Sequence, residues 1–272
     1  MLKHFKNQSK INLVLGVACL LTSCTKTINL DLNSSDPKIV IEGNVSDGAG
    51  PHLVRLTESV NFSDENNFPA VSGAFVVIND NLGNKDTLQE AGSGYYYTTT
   101  LQGVSGRTYT LRVNAKGKSF EAVSSMPTKI NLDSITFLKS AFGNPNPGDE
   151  VYVPAPRFVD PLQEKNWYRF IVTLNDTIDK SIFVDNDNLI NGLPYQRPIF
   201  SGELFPKKND SVAIEMHCID QVTYDYFYSL NASIGQGPSA TTPANPVTNI
   251  KGEGALGYFS AHTTQRLKVQ VK

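Results

Sequence analysis

The stretch Lys38-Ile-Val-Ile-Glu-Gly-Asn-Val-Ser46 alternates apolar and polar side chains, and His52-Leu-Val-Arg-Leu-Thr57 repeats the alternation a few residues later. Successive side chains of a β-strand point to opposite faces, so this period of two indicates strands with one buried face. Ala74-Phe-Val-Val-Ile-Asn79 is a more continuous β-branched run, as in the core of a sandwich, and the turn residues Asp80-Asn-Leu-Gly-Asn84 follow it. The chain is therefore predicted to be β-rich from Lys38 onward.

Further short strands are predicted before Pro127, at Tyr95–Leu101, Arg107–Val113 and Ser119–Ser124. Strands at this spacing with no helix between them indicate an antiparallel sandwich, immunoglobulin-like or prealbumin-like, over residues 38–127. Tyr109 follows a glycine-containing turn at the start of a strand, where a tyrosine corner is expected.

Residues 128–272 are predicted to form a second β-rich domain with one short helix near residues 220–234, so the fold class is all-β. Asp220 can cap that helix, and Phe227, Leu230 and Ile234 recur on one face. The strands of this part are predicted at Leu132–Leu138, Glu150–Phe158, Trp167–Leu174, Ser181–Val184, Ser211–Ile219 and Gln265–Val271.

The segment Gly254-Ala-Leu-Gly-Tyr-Phe-Ser-Ala261 is predicted to be a further strand, with Tyr258 and Phe259 on opposite faces. One ring is expected to pack against the helix. The other is expected to be partly exposed near the loop at residues 237–246, where it becomes a candidate for recognition.

Aromatic side chains are the other candidates for recognition, because rings provide contact area at a low entropic cost. Tyr96 and Trp167 join Tyr258 and Phe259 in this set. The alternative, that these rings fill the cores of the sandwiches, is favoured for the set as a whole, because aromatic residues are ordinary occupants of such cores.

The first 24 residues form a distinct segment. Four basic or ionisable residues precede the mostly apolar run Ile11–Leu21, which is too short to cross a bilayer. Such a pattern is typical of an export signal over residues 1–23. Leu21-Thr22-Ser23-Cys24 resembles the lipobox of bacterial lipoproteins, in which the cysteine is acylated, so Cys24 is the expected lipidation site and residues 24–37 the expected tether.

The composition limits the classes of function. The 272 residues include 40% hydrophobic and 18% charged side chains, as in a folded globular chain. The net charge of −2 and the lack of a basic block make nucleic acid an unexpected partner. Of three cysteines, two lie in the first 24 residues, which leaves Cys218 without an intramolecular mate.

Catalytic patterns are sparse. His52, His217 and His262 have no metal-ligand spacing, and the neighbours His217 and Cys218 are expected to point to opposite faces of a strand, one buried and one exposed. No metal or cofactor is expected, and the chain is expected not to be an enzyme.

Two sets of acidic residues leave a calcium site and a glycoside hydrolase site as weaker alternatives. Asp185-Asn-Asp187-Asn-Leu189 begins like a calcium loop but lacks its glycine and its terminal glutamate. Asp160, Glu164 and Glu203 could supply a carboxylate pair for glycoside hydrolysis, although the sequence places no two of them across a cleft.

Several strings in order along the chain resemble a Bacteroidota outer-membrane lipoprotein family catalogued as domain of unknown function 4249. They are Cys24 with Ile28–Leu32, Ile39–Val45, Val60–Phe62 with Pro69–Ala74, Gly106–Leu111, Phe158–Pro161 with Asn166–Tyr168, Asn245–Ile250 and Gly254–Ala261.

The resemblance implies an accessory to a TonB-dependent nutrient transporter, lipid-anchored in the outer membrane on its surface or its periplasmic face. Such a protein binds the transporter or a glycan or peptide ligand without catalysis. A purely structural envelope lipoprotein and an unrecognised hydrolase remain the alternatives.

Overall fold

The computed structural model describes residues 36–61, 67–140, 148, 150–234 and 245–272, and within these residues the chain is mainly β, as the sequence predicts. The first eight strands are β1 (Ile39–Ser46), β2 (Leu53–Glu58), β3 (Phe75–Asp80), β4 (Lys85–Thr87), β5 (Gln89–Glu90), β6 (Tyr95–Tyr97), β7 (Thr108–Ala115) and β8 (Lys118–Ser125). The others are β9 (Ser134–Ser140), β10 (Val151–Val159), β11 (Trp167–Leu174), β12 (Thr177–Ile178), β13 (Phe183–Asn186), β14 (Pro194–Tyr195), β15 (Ser211–Ile219), β16 (Ile250–Lys251) and β17 (Leu256–Gln270). Helix α1 is Gln221–Ser233, and a 3₁₀ turn covers Asp187–Leu189.

One large sheet joins the two halves of the chain. Its nine strands include the path β12-β11-β15-β17-β1-β2-β6-β5, with β13 also paired to β11. A five-stranded sheet, β16-β8-β7-β3-β4, and a three-stranded sheet, β14-β10-β9, complete the described sheets. Two hydrophobic cores result, one containing residues of the five-stranded sheet and one containing residues of the three-stranded sheet. The fold is therefore two sandwiches that share a layer.

Strand β17 is the shared element. Its first half pairs in parallel with β1, from Val40 opposite Leu256 to Ser46 opposite His262. Its second half pairs antiparallel with β15, from Thr263 to Gln270. The sequence predicts an antiparallel sheet, and this parallel pair is a departure from it. Parallel neighbours need a long crossover, and the two strands are separated by most of the chain.

The alternation of side chains along β17 explains how it serves both cores. Phe259 and Ala261 are buried in the first core, whereas Leu267 and Val269 pack against the second. These odd-numbered residues point to one face of the strand, so the even-numbered residues point to the other.

The boundary near Pro127 separates most residues of the two cores. Ile130 and Leu132 open the second core, but Ile250, Phe259 and Ala261 belong to the first. The segment at residues 250–261 therefore contributes to the N-terminal sandwich. A division into independently folding domains at residues 38–127 and 128–272 stays a prediction.

Two local predictions are confirmed by their hydrogen bonds. Asp220 caps helix α1 by accepting from the backbone N–H of Thr223 at 3.1 Å. The fully buried Tyr109 closes the tyrosine corner, because its hydroxyl accepts from the backbone N–H of Val104 at 2.7 Å.

The parallel pair depends on Gly257. This residue has φ = +98°, and an added Cβ would lie 2.0 Å from the carbonyl oxygen of Ile41. A side chain would therefore combine a strained backbone with a direct collision against β1.

We expect Gly257→Ala to lower the melting temperature much more than Gly106→Ala. Gly106 has φ = +81° with no atom near the added Cβ, so it isolates the conformational strain, about 1–2 kcal/mol, from the collision. Circular dichroism melts of both variants measure the difference. Equal losses would show that close approach to β1 is not required.

Candidate functional site

The even-numbered residues of β17 lie on a polar face of the nine-stranded sheet, opposite both cores. His262 is paired with Ser46 of β1, and Thr264 is paired with His217 of β15. Across β15, His217 is in turn paired with Arg169 of β11. The register of four strands thus collects charged and polar side chains at the middle of this face.

A cavity of about 640 Å³ opens on the polar face. Its lining comes from β1, β2, β11, β15 and β17, together with Asp47, Pro51, His52 and Lys129 from connecting segments. The volume lies within the range of about 300–1,000 Å³ that is common for small-molecule sites. The cavity is therefore large enough for a ligand of several rings or residues.

Two histidines form one wall. The rings of His217 and His262 stack with centroids 4.2 Å apart and planes 13° from parallel. Nε2 of His217 lies 2.7 Å from Oε1 of Glu215 and donates to it, which leaves Nδ1 as a buried acceptor without a partner among the described residues. His262 places Nδ1 3.0 Å from the hydroxyl of Ser260.

The cavity keeps its histidines neutral. Burial lowers the pKa of His217 and holds that of His262 well below its usual value. The positive charge of Arg169 lowers both pKa values further, and Glu215 opposes the effect at His217. Burial also lowers the pKa of His52, which is a third lining residue. Neutral rings can stack without the repulsion that two imidazolium ions would feel.

Arg169 is the unusual charge of the site. Its guanidinium lies over the ring of Phe227 in helix α1, with Cζ 4.0 Å from the ring centroid, a cation–π geometry. Among the described residues it makes no hydrogen bond and no ion pair. An arginine presents five donors in a planar fork, so this one has unused hydrogen-bonding capacity at the cavity wall.

The other lining charges are engaged. Lys129 pairs with Asp47 at 2.8 Å, and Asp47 also accepts from the backbone N–H of Thr264 at 2.7 Å. Glu215 is held by His217. Arg169 is consequently the lining cation whose charge no described carboxylate neutralises at contact distance.

Helix α1 covers one end of the polar face. Phe227 and Tyr226 pack on Tyr258 with ring centroids 4.8 Å apart, and Leu230 packs against the same cluster. Tyr258 also accepts a hydrogen bond from the side-chain amide of Asn44 at 3.2 Å. The helix thus holds both Tyr258 and the Arg169 guanidinium in place.

The expectation that Tyr258 or Phe259 is exposed is wrong. Tyr258 is covered by helix α1 as predicted for one ring, but Phe259 is fully buried because it points into the first core. The loop at residues 237–246 lies mostly outside the described residues. Tyr258 still reaches the cavity, at its edge.

The other two aromatic candidates lie apart from the cavity. Tyr96 is buried in the first core, and its hydroxyl donates to the carbonyl of Val71 at 2.8 Å. Trp167 is half-buried at the start of β11 and does not line the cavity. Any role of these rings in recognition stays a prediction. Cys24 lies outside the described residues.

The histidines of the cavity have no signal in the sequence. The spacing of His52, His217 and His262 is not that of metal ligands, yet all three line one cavity. The expectation that one of His217 and Cys218 is exposed is wrong, because His217 is buried at the cavity and Cys218 in the second core. The pairing of β15 with β17 brings His217 and His262 together, and no local pattern encodes that pairing.

The acidic candidates have structural partners. Asp185 receives two contacts of 2.8 Å from Arg197 and one of 3.0 Å from the Tyr195 hydroxyl. Asp187 accepts from the backbone of Asn166 at 2.9 Å.

The carboxylates considered for hydrolysis differ in burial. The buried Asp160 accepts from the Tyr168 hydroxyl, and burial raises its pKa. Glu164 and Glu203 are exposed. Among the described residues, no group of three or more His, Cys, Asp or Glu side chains is arranged to hold a metal ion.

Fold and site together define a β-sandwich protein with a polar cavity on the outer face of its shared sheet. The chain belongs to the family described as a domain of unknown function, DUF4249, which matches residues 25–268. A comparison with curated proteins finds no match. In the part of the chain that the structure describes, no helix has the length and apolar character needed to span a membrane.

The neutral histidines predict a specific pH dependence of stability. Their pKa values are lowered in the folded protein from 6.5, so the unfolded chain binds more protons once the pH falls below about 6.5. The free energy of unfolding should therefore be lost as the pH falls from about 7 towards the lowered pKa values.

We expect His262→Gln to flatten this dependence between pH 7.5 and 5.5 in urea unfolding. Asp80→Asn serves as a control, because the pKa of Asp80 is lowered from 3.8 and its contribution changes below this interval. A profile as steep in His262→Gln as in the wild type would contradict the assignment to His262.

Proposed function

We propose that this protein is a lipid-anchored outer-membrane protein that binds a small ligand in the cavity of its polar face, as a non-catalytic accessory to a TonB-dependent transporter. The observation that carries the binding role is the cavity of about 640 Å³, whose wall includes Arg169, a cation with no hydrogen-bond acceptor or ion pair among the described residues.

The construction of the cavity supports binding. Five strands of one sheet supply its wall, and both cores pack against the opposite face of that sheet. A site on strands is held in place more firmly than one on loops. The side chains are therefore preorganised, which lowers the entropic cost of binding.

The engaged carboxylates favour binding over hydrolysis. Asp47 is tied to Lys129 and Glu215 to His217, so neither is free to act as a nucleophile or a general base without breaking an ion pair or hydrogen bond. The alternative of a hydrolase has less support for this reason. A purely structural envelope role would account for the contact of Arg169 with Phe227 but not for its unbonded N–H groups at a cavity wall.

The proposal of a lipid anchor at Cys24 is supported by the sequence alone. Leu21-Thr22-Ser23-Cys24 resembles a lipobox, and the family match begins at the next residue, Thr25. Acylation with two or more chains would make attachment effectively permanent. The transporter as partner, and a place on the outer or the periplasmic face, are implied by the resemblance alone.

We expect Cys24→Ser to release the protein from the membrane fraction and to abolish the mass added by lipid. Cys19→Ser is the matched control, because it changes the neighbouring cysteine of the same leader and should leave both unchanged. Fractionation and intact-mass spectrometry supply the two measurements. An unmodified N-terminus at another residue would refute the anchor.

We expect protein isolated from its own envelope to release a small molecule on denaturation, and Ser46→Phe to release less of it, because a ring at Ser46 would occupy the cavity. Leu138→Phe is the control, since it adds a ring at an exposed position of β9, away from the lining. Mass spectrometry quantifies the compound. Equal release from all three proteins would contradict binding in the cavity.

A further inference from the structure

We propose that the cavity recognises ligands through an anionic group, a carboxylate, sulfate or phosphate, held by the guanidinium fork of Arg169. This inference rests on the proposed binding function and adds the chemical class of the ligand.

Arg169 has hydrogen-bonding capacity that the protein does not use. Its guanidinium makes no hydrogen bond or ion pair with the described residues, and the half-buried side chain lies at the cavity wall with Phe227 of helix α1 against it. An anion in the cavity would accept charge-assisted hydrogen bonds from this guanidinium, and these are stronger than those between neutral groups. The free protein therefore presents a donor set for a negative partner.

The geometry of the guanidinium suits an oxyanion. The stack on Phe227 occupies one face of the guanidinium plane and leaves the N–H groups at its rim free. A carboxylate or a tetrahedral oxyanion can accept two parallel hydrogen bonds from such a rim. The contact with Phe227 restricts the guanidinium, which reduces the conformational freedom that binding must remove.

The charges that line the cavity balance, because its three histidines are neutral and Lys129 and Arg169 face Asp47 and Glu215. Asp47 is in contact with Lys129, whereas Glu215 is hydrogen-bonded to the neutral His217 and acts on Arg169 only from beyond contact distance. The N–H groups of Arg169 thus keep no bound acceptor. Because Asp47 and Glu215 disfavour further negative charge, the ligand should carry a single anionic group, at Arg169, with its uncharged remainder in the rest of the cavity.

The volume of the cavity indicates that the ligand is larger than a bare anion. About 640 Å³ is many times the roughly 30 Å³ that one water occupies in the liquid, so a bare anion would leave most of the cavity to solvent. Asn44 and Ser46 line the same space and can bond to hydroxyl groups. A polyhydroxylated acid therefore matches the wall better than an apolar acid.

The test is calorimetric titration of the full chain in detergent at 0.15 M salt with D-glucuronate and D-glucose, a pair that differs in the carboxylate. Sulfate and phosphate are titrated separately to distinguish the oxyanions. We expect one or more of the charged probes to bind saturably. Glucuronate should bind at least about tenfold more tightly than glucose, as expected for charged hydrogen bonds.

The variant Arg169→Gln should weaken the charged probe at least about tenfold and leave glucose unchanged. Arg266→Gln is the matched control, because Arg266 lies exposed on the same sheet face, outside the lining, and its loss should have no effect. Arg169→Lys keeps the charge but loses the fork, so it should bind less well than the wild type. If circular dichroism shows that Arg169→Gln does not fold, Arg169→Lys is compared with the wild type in its place.

A second readout locates the binding. The ring resonances of His52, His217 and His262 report on the cavity, since all three line it, and a charged probe should shift them in the wild type but not in Arg169→Gln. Tighter binding of glucose than of every charged probe would overturn the anionic class and leave the proposed binding function intact. The anionic class would also be overturned if the charged probes bound equally to the wild type and to Arg169→Gln, or if no charged probe bound.

Discussion

The pairing of β17 with β1 and β15 is the constraint on which the other features depend. One strand of 15 residues passes along both sandwiches, in parallel with β1 and then antiparallel with β15. Its odd-numbered side chains complete the two cores, and its even-numbered ones supply the polar face. A shift of register by one residue would exchange these two sets, so the cores and the cavity are specified together.

The polar face shows how a sheet can support function without loops. Its histidines, Glu215 and Arg169 come from strands whose opposite side chains fill a core, so the same hydrophobic packing that folds the chain also fixes the cavity wall. Helix α1 adds a cover on one side. Asp220 caps this helix and also accepts from Ser124 at 2.8 Å, which ties the cover to β8.

Local patterns predict much of the fold. Strands β11 and β15 begin and end where their alternation predicts, and Asp220 caps the helix. The length of β17 was less accessible, because the polar residues Thr263, Thr264 and Gln265 interrupt its apolar pattern where it passes from one core to the other. No local pattern of the sequence predicts the cavity. His217 and His262 are brought together by strand pairing over long range, and whether Arg169 forms an ion pair depends on which carboxylates the fold places near it.

Trp167 gives this molecule a built-in optical reporter. The chain has a single tryptophan, at the start of β11 and two residues before Arg169, so both side chains lie on the same side of the sheet. It is half-buried, and the emission of an indole depends on the polarity around it. Tryptophan fluorescence of the unlabelled protein therefore comes from one known position, on the strand that carries Arg169, and changes in hydration there can be followed without attaching a dye.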